Sequence, residues 1–485
     1  MTVQQHAQTH DSRPATGDYE TVIGLECHVQ LATQSKMFCG CAADYAGAAP
    51  NTHVCPICLG MPGVLPVMNR VAVEYTLLTG LALSADIPEA TKFDRKNYPY
   101  PDLVKGYQIS QYDLPLVKGG SVEIASGPTT RRIHLERVHL EEDTGKLTHI
   151  PGGSLVDFNR SGVPLMEMVS MPEIRTPGEA RGYLQKLRAI LRTLGVSDAD
   201  MEKGQLRCDV NVSLRPTGEA RLGTKVEVKN LNSFRSVQRA LEYEIQRQTE
   251  TLDRGEPILQ ETRGWLEDKG VTVTQRSKEE AHDYRYFPEP DLPPVFVERA
   301  WLEQLRQRLP ELPDARRTRY MQSFGLGAYD ADALSTDLWA ARLFEDTVSA
   351  GADPKKAANW IQNDVARLRV DSELVLKAEH LAELIRLVDE GAIGISAARQ
   401  LLPPLIETGK APLALVDELG LAQVSDSAAL EDAVRGTIQA NPSAVTDYRA
   451  GKATAINFLK GQVMKSTRGK ANPAVAEELL RKLLA

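Results

Sequence analysis

Five stretches of this sequence place acids or bases where an extended backbone would line them up. In residues 21–31, T-V-I-G-L-E-C-H-V-Q-L, polar and apolar residues alternate. Successive side chains of a strand point to opposite faces, so Ile23, Leu25, Cys27, Val29 and Leu31 share one face and Glu26, His28 and Gln30 the other. A carboxylate and an imidazole in line can hold a metal or move a proton; the same pattern also describes a half-buried strand whose polar face meets water. In I-H-L-E-R-V-H-L-E-E-D-T-G-K, Arg137, His139 and Glu141 alternate with Val138, Leu140 and Glu142. Glu167 stands alone in P-L-M-E-M-V-S, where a charge is costly unless it is paired, hydrogen-bonded or bound to a metal. The strands L-R-C-D-V-N-V-S-L-R and T-K-V-E-V-K repeat the device with Asp209 and Lys229. Side by side, such strands would carry a polar concave surface.

Three further groups stand out. Cys39 and Cys41, then Cys55 and Cys58, are two close pairs across a short loop, a spacing that suits tetrahedral thiolate binding of Zn²⁺. Four thiolates close the coordination sphere, which makes such a metal structural; disulfides or inert thiols are the other readings. Residues 92–112 mix Lys92, Arg95, Lys96 and Lys105 with Tyr98, Tyr100, Tyr107 and Tyr112, and their prolines preclude a long helix. This loop either holds phosphates or stacks on a nucleotide, or it is solvated with its tyrosines packed on the body. Between Tyr448 and Lys470 lie Arg449, Lys452, Lys460, Lys465, Arg468 and Lys470 with no acid, which reads as a phosphate-binding footprint or a plain solvated helix. Neither G-x-x-x-x-G-K-[ST] nor G-x-G-x-x-G occurs, so a nucleotide would need another arrangement.

The elements that must position these groups are legible from periodicity. Helical spacing runs through residues 69–85, 178–194 behind Pro177, and about 237–254. Strand-like alternation fills the rest up to a proline-rich boundary near residue 294, and beyond about residue 298 the spacing is helical throughout. The expected fold is α+β: a domain on a mixed or antiparallel sheet carrying that polar concave surface (19–294), an all-helical domain (295–407) and a small helical tail domain (408–485). Residues 1–18 read as a flexible tail without the apolar segment of a secretory signal, and no run has the length of a membrane span. A cytoplasmic protein is the expectation. With 42% hydrophobic and 25% charged residues the chain can build large cores, and its net charge of -8 speaks against general coating of nucleic acid while allowing a local basic surface.

Longer motifs carry a resemblance. Y-E-T-V-I-G-L-E-C-H-V-Q-L, F-D-R-K-N-Y-P-Y-P-D, H-L-E-E-D-T-G-K, L-V-D-F-N-R-S-G-V-P-L-M-E-M-V-S, K-N-L-N-S-F, D-Y-R-Y-F-P-E-P-D and the tail G-K-A-T-A-I-N-F-L-K-G-Q-V-M-K extend in order across nearly the whole chain. They resemble the B subunits of the bacterial tRNA-dependent aspartyl/glutamyl amidotransferases. The resemblance implies use of ATP and Mg²⁺ to phosphorylate the side-chain carboxylate of Glu or Asp misacylated on tRNA(Gln) or tRNA(Asn). Ammonia from an A subunit would then displace phosphate, with a small C subunit joining the two larger chains. It implies His28, Glu142 and Glu167 as Mg²⁺ ligands, with Glu26, Glu141 and Asp209 as catalytic neighbours. Arg95, Lys96 and Lys229 become candidate phosphate partners, and the C-terminal cations become tRNA contacts. Because imidazole is an unusual ligand for so hard a cation, Mn²⁺ is an expected substitute. Pro99 and Val104 depart from the family's usual residues in the R-K-N-Y loop. A zinc-stabilised RNA-binding scaffold without catalysis is the alternative, and a metal-dependent hydrolase a third reading that lacks a supported serine or cysteine nucleophile.

Overall fold

The computed structural model describes residues 18–127, 129–277, 284–369, 374–422, 427–467 and 471–484. In chain order the first unit contains β1 (Tyr19–Gln30), α1 (Arg70–Ala82), β2 (Ala90–Thr91), β3 (Asp94–Asn97), β4 (Tyr107–Ser110), β5 (Val117–Lys118) and β6 (Ser121–Ser126). It continues with β7 (Thr129–Glu142), β8 (Lys146–Ile150), β9 (Gly153–Asp157), β10 (Pro164–Ser170), α2 (Pro177–Leu194), β11 (Leu206–Pro216) and β12 (Val226–Lys229). It closes with α3 (Phe234–Asp253), β13 (Glu261–Leu266), β14 (Val271–Ser277), β15 (Phe287–Pro288), β16 (Val295–Phe296) and α4 (Arg299–Gln307).

A nine-stranded sheet in the order β14-β13-β12-β11-β1-β10-β7-β5, with β6 also on β7, organises this unit. All its pairings are antiparallel except β12 with β13, so the sheet is mixed. The opening stretch lies in the middle, with β11 on one side and β10 on the other. The apolar parity of β1 is buried: Ile23, Leu25, Cys27 and Val29 are at most 1% exposed and share a core with Leu184, Leu187 and Leu191 of α2 and Val237 and Leu241 of α3. Each such side chain contributes about 1.5–3 kcal/mol on burial.

Local chemistry sets the helix ends. The Thr176 hydroxyl accepts from the Glu179 amide, Pro177 supplies a preset φ, and Gly195 closes α2 at φ 69°. α3 starts three residues before the apolar spacing indicates, because Ser233 caps it by accepting from the Ser236 amide. Residues 92–112 are not a free loop. Within them β3 and β4 pair with each other and β15 adds to β3, a tertiary contact nearly 200 residues away that local composition does not encode.

The described chain separates into two compact units, Met1–Leu312 and Pro313–Ala485. β16 pairs with β2, and Leu305 of α4 joins the first unit's core. The second unit is helical, from α5 (Pro313–Ser323), α6 (Ala328–Thr336), α7 (Leu338–Ser349) and α8 (Pro354–Trp360) through α9 (Ala378–Asp389), α10 (Ile395–Thr408) and α11 (Pro412–Leu419). These elements share one core around Tyr320, Phe344 and Leu401, to which α11 adds Leu415 and Val416. A second core around Val434, Leu459 and Leu480 gathers α12 (Ser427–Ala440), α13 (Pro442–Arg449), α14 (Ala455–Ser466) and α15 (Pro473–Leu484). Among the described residues no strand follows Phe296, and no helix is long and apolar enough to cross a membrane. The architecture is the expected α+β one, a mixed sheet followed by helices.

Candidate active site

Strand register assembles the site. His28 lies opposite Glu167 on one side and Arg207 on the other, and Glu167 lies opposite His139, so a row of four ionisable groups crosses β11, β1, β10 and β7. Glu26 and Asp209 form the next pair along, and Glu141 follows His139 on the same face of β7. His28 Nε2 is 3.3 Å from Glu167 Oε2 and 3.8 Å from Glu141 Oε1. One ligand atom from each of His28, Glu141 and Glu167 lies within 4.8 Å of the others, a convergence suited to a cation. His139 Nε2 approaches the same Glu167 Oε2 at 3.4 Å.

Electrostatics follow from this packing. Burial alone would drive the imidazoles neutral, but the Glu167 and Glu141 carboxylates outweigh it, raising His28 and pushing His139 up to about 9. Burial equally opposes charge on Glu167, yet His139 and His28 hold it well below the usual carboxylate range. Lys96 of β3 overlooks the cluster. Its ammonium stands 5.0 Å from the Tyr284 ring centre, and Glu141 and Glu167 strengthen its charge against desolvation. Tyr98 and Tyr286 each meet Tyr284 edge to face, and Tyr112 stacks on Tyr286 at 4.3 Å, an aromatic wall beside the carboxylates. On the other side Asp209 bonds Lys229, which also reaches Glu227 at 3.2 Å, and Asn211 donates to Glu26 at 2.8 Å.

Two expected residues are not brought into this cluster. Glu142 points to the opposite face from Glu141, as strand parity demands, and its carboxylate binds Lys105 and the Ile109 amide at 3.0 Å. Arg95 points away from Lys96 for the same reason. It makes a two-pronged bond to Glu289 at 2.6 and 2.8 Å, reaches Asp291 at 3.4 Å and stacks 4.3 Å over Tyr107, so it braces β3 to β15 instead of facing the cluster. His139 is a member of the cluster that the sequence motifs do not single out as a site residue. Its shared parity with Glu141, between Val138 and Leu140, is the signal that points to it.

Beside the row, Asp143 accepts from Arg207 at 2.6 Å and from Gln30 at 2.9 Å. This network borders a cleft of about 760 Å³ lined by polar residues such as Gln30, Lys146 and Arg160 and by apolar ones such as Leu31 and Val163, within the size range of small-ligand sites.

The four cysteines converge, with every pair of sulfurs within 4.8 Å and Cys55 and Cys58 3.9 Å apart. Tetrahedral thiolates at the Zn–S distance of about 2.3 Å stand about 3.8 Å from one another, so the set could bind such a metal. Cys58 also accepts from the Cys55 amide at 3.1 Å. Cys27 and Cys208 lie apart from this group, buried opposite each other in the sheet core.

The C-terminal cations are more compensated than their sequence suggests. Lys460 pairs with Glu477 at 2.7 Å, Lys452 with Asp447 at 3.2 Å, and Arg449 donates to the Leu484 carbonyl at 3.4 Å. Lys465 is exposed. Arg468 and Lys470 lie outside the described residues.

Residues 21–303 match the model of the GatB/GatE catalytic domain, and residues 342–484 that of the GatB domain. The chain is 52% identical to the B subunit of the aspartyl/glutamyl-tRNA(Asn/Gln) amidotransferase of Carboxydothermus hydrogenoformans, over 96% of this chain and 99% of that relative. Proteins of the same name from Thermomicrobium roseum and Moorella thermoacetica are 54% and 53% identical, again over 96% of this chain and nearly all of theirs.

Proposed function

Because the chain belongs to the family of aspartyl/glutamyl-tRNA(Asn/Gln) amidotransferase B subunits, we propose that it converts misacylated Glu-tRNA(Gln), Asp-tRNA(Asn) or both to the amidated forms. The side-chain carboxylate of the misplaced amino acid attacks the γ-phosphorus of ATP, ADP leaves, and ammonia then displaces phosphate from the acyl phosphate to leave the amide. Glutamine hydrolysed by the A subunit supplies the ammonia, and a C subunit completes the heterotrimer. The work belongs to the cytoplasm, where aminoacyl-tRNA is made and used.

The observation that carries this reading is the convergence of His28, Glu141 and Glu167 on the polar face of the sheet. A Mg²⁺ ion, or Mn²⁺ in its place, held there would offset the repulsion between the attacking carboxylate and the triphosphate. Glu142, turned to the opposite face of β7 and bound to Lys105 and the Ile109 amide, is not part of this ligand set. Lys96 and Lys229 would offer ammonium groups to phosphate oxygens, while Arg95 orients β3. Glu26 and Asp209 fix Asn211 and Lys229 beside them. The cysteine set would hold a structural Zn²⁺ between β1 and α1. The helical unit, with its tail from about residue 408, is the proposed tRNA-holding part, through Arg449, Lys452, Lys460, Lys465, Arg468 and Lys470.

The test is transamidation by the assembled three-subunit enzyme with Glu-tRNA(Gln), glutamine and ATP. Gln-tRNA(Gln) should form only with ATP, and His28→Ala should lower the rate about 100- to 1,000-fold with the fold intact. Normal tRNA binding without ADP release would instead favour a scaffold, and full activity in His28→Ala would remove the site assignment.

A further inference from the structure

We propose that His139 is a positioning residue that holds Glu167, and with it Glu141, in the arrangement that receives the divalent cation. This rests on the metal reading of the His28, Glu141 and Glu167 cluster.

Three observations distinguish its role from that of His28. First, the row across the sheet puts Glu167 between the two histidines, and both imidazoles meet the same oxygen, Glu167 Oε2, at 3.3 and 3.4 Å. Secondly, His28 keeps 23% of its side chain in contact with solvent, whereas His139 retains 5%. With Glu167 standing between it and His28 in the row across the sheet, His139 acts through that carboxylate. Thirdly, His139 Nε2 also stands 3.9 Å from Glu141 Oε2, so one imidazole edge faces both carboxylates, while Nδ1 is buried without a hydrogen-bond partner. An imidazole with one nitrogen left orphaned is a costly resident of a sheet interior. The Nε2 edge is the one that faces the two cation ligands.

Physically, two buried carboxylates repel and would swing apart. A donor fixed between them keeps their outward oxygens converged, as carboxylate and imidazole partners commonly do behind metal ligands. Because His28 and His139 sit on strands two steps apart, with backbones about 10 Å from each other, the second histidine supports the cluster from behind without replacing the first.

The test is Mn²⁺ binding to the assembled three-subunit enzyme, read from the free-ion electron paramagnetic resonance signal, with melting temperature measured in chelator. His139→Leu keeps bulk and removes the donor; His139→Gln keeps an N–H near the Nε2 position. The expected result is a 10- to 100-fold higher Kd for Mn²⁺ in His139→Leu, recovered largely by His139→Gln, and a matching rise in the Mg²⁺ concentration for half-maximal activity. If His139→Leu fails to fold, His139→Asn, too short to reach Glu167, takes its place with the same expectation. A wild-type Kd in the donorless variant, or a Gln variant as weak as the Leu one, overturns the proposal. Loss of Mn²⁺ binding in His28→Ala beside unchanged binding in His139→Leu overturns it alone; no binding by the wild type overturns the metal reading with it.

Discussion

Replacing Arg95 separates two roles for one residue. As a phosphate contact, its loss would weaken ATP binding and nothing else. As the brace seen here, its loss leaves Glu289, whose side chain is fully buried, without its two-pronged partner. Breaking a buried pair from one side costs about 3–5 kcal/mol, because the remaining charge is stranded. Arg95 is one-fifth exposed, so the lower half of that range applies to Arg95→Met. For a unit of this size a loss of 3–4 kcal/mol lowers the melting temperature by roughly 6–8 °C, at about 2 °C per kcal/mol. Removing both charges in Arg95→Met/Glu289→Leu restores a neutral apolar contact and should recover most of the loss, giving a coupling energy of about 2 kcal/mol or more. The assay is thermal unfolding of the full chain for wild type, both single variants and the double variant, beside the KM for ATP in the assembled enzyme. The KM should follow stability, since β3 carries Lys96 to the cluster. A double variant no more stable than Arg95→Met, with the KM rise unchanged, refutes the brace.

Other consequences are as direct. One zinc per chain should be found by elemental analysis and lost in Cys55→Ser/Cys58→Ser, with new protease cleavage in residues 39–58; metal-free wild-type chain of full stability would contradict the cysteine assignment. Burial opposes charge on Glu244, but Arg247, Thr272 and Arg263 hold its carboxyl below the ordinary range. Its stabilisation is therefore full above the unfolded-chain value of about 4.3 and fades as pH falls through the lower folded value. Glu244→Gln should cost about 3 kcal/mol at pH 7, and its melting-temperature gap from wild type should close on acidification; a gap independent of pH counts against this. Lys465→Ala should lower tRNA affinity and reduce the salt slope by about 1, whereas Lys460→Ala, already paired with Glu477, should change it less. Equal slopes would show that the ion pair opens on binding.

The central strand shows how much could be read in advance. Its period of two placed His28 and Glu26 on the face opposite Cys27, and the fold keeps that division. Periodicity also located α1, α2 and α3, with end errors where caps such as Ser233 extend a helix beyond its apolar stripe. Glu141 and Glu142 show the limit. Parity says that adjacent acids diverge, but not which one meets His28; that depends on β7 pairing with β10 in the register that sets Glu167 beside His139. Likewise Arg95 and Lys96 look interchangeable in composition, and only β15, brought back from residue 287, makes one a brace and the other a neighbour of the cluster.

Sequence by itself determined the class of fold, the identity of the chemical groups and the family to which they belong, because alternation, capping residues and long motifs are local properties of the chain. Tertiary structure alone decided the working set. Register of β7 against β10 selects which carboxylates converge, register of β10 against β1, more than a hundred residues away, brings His28 to them, and the order of the strands then sets His28 on one side of Glu167 and His139 on the other.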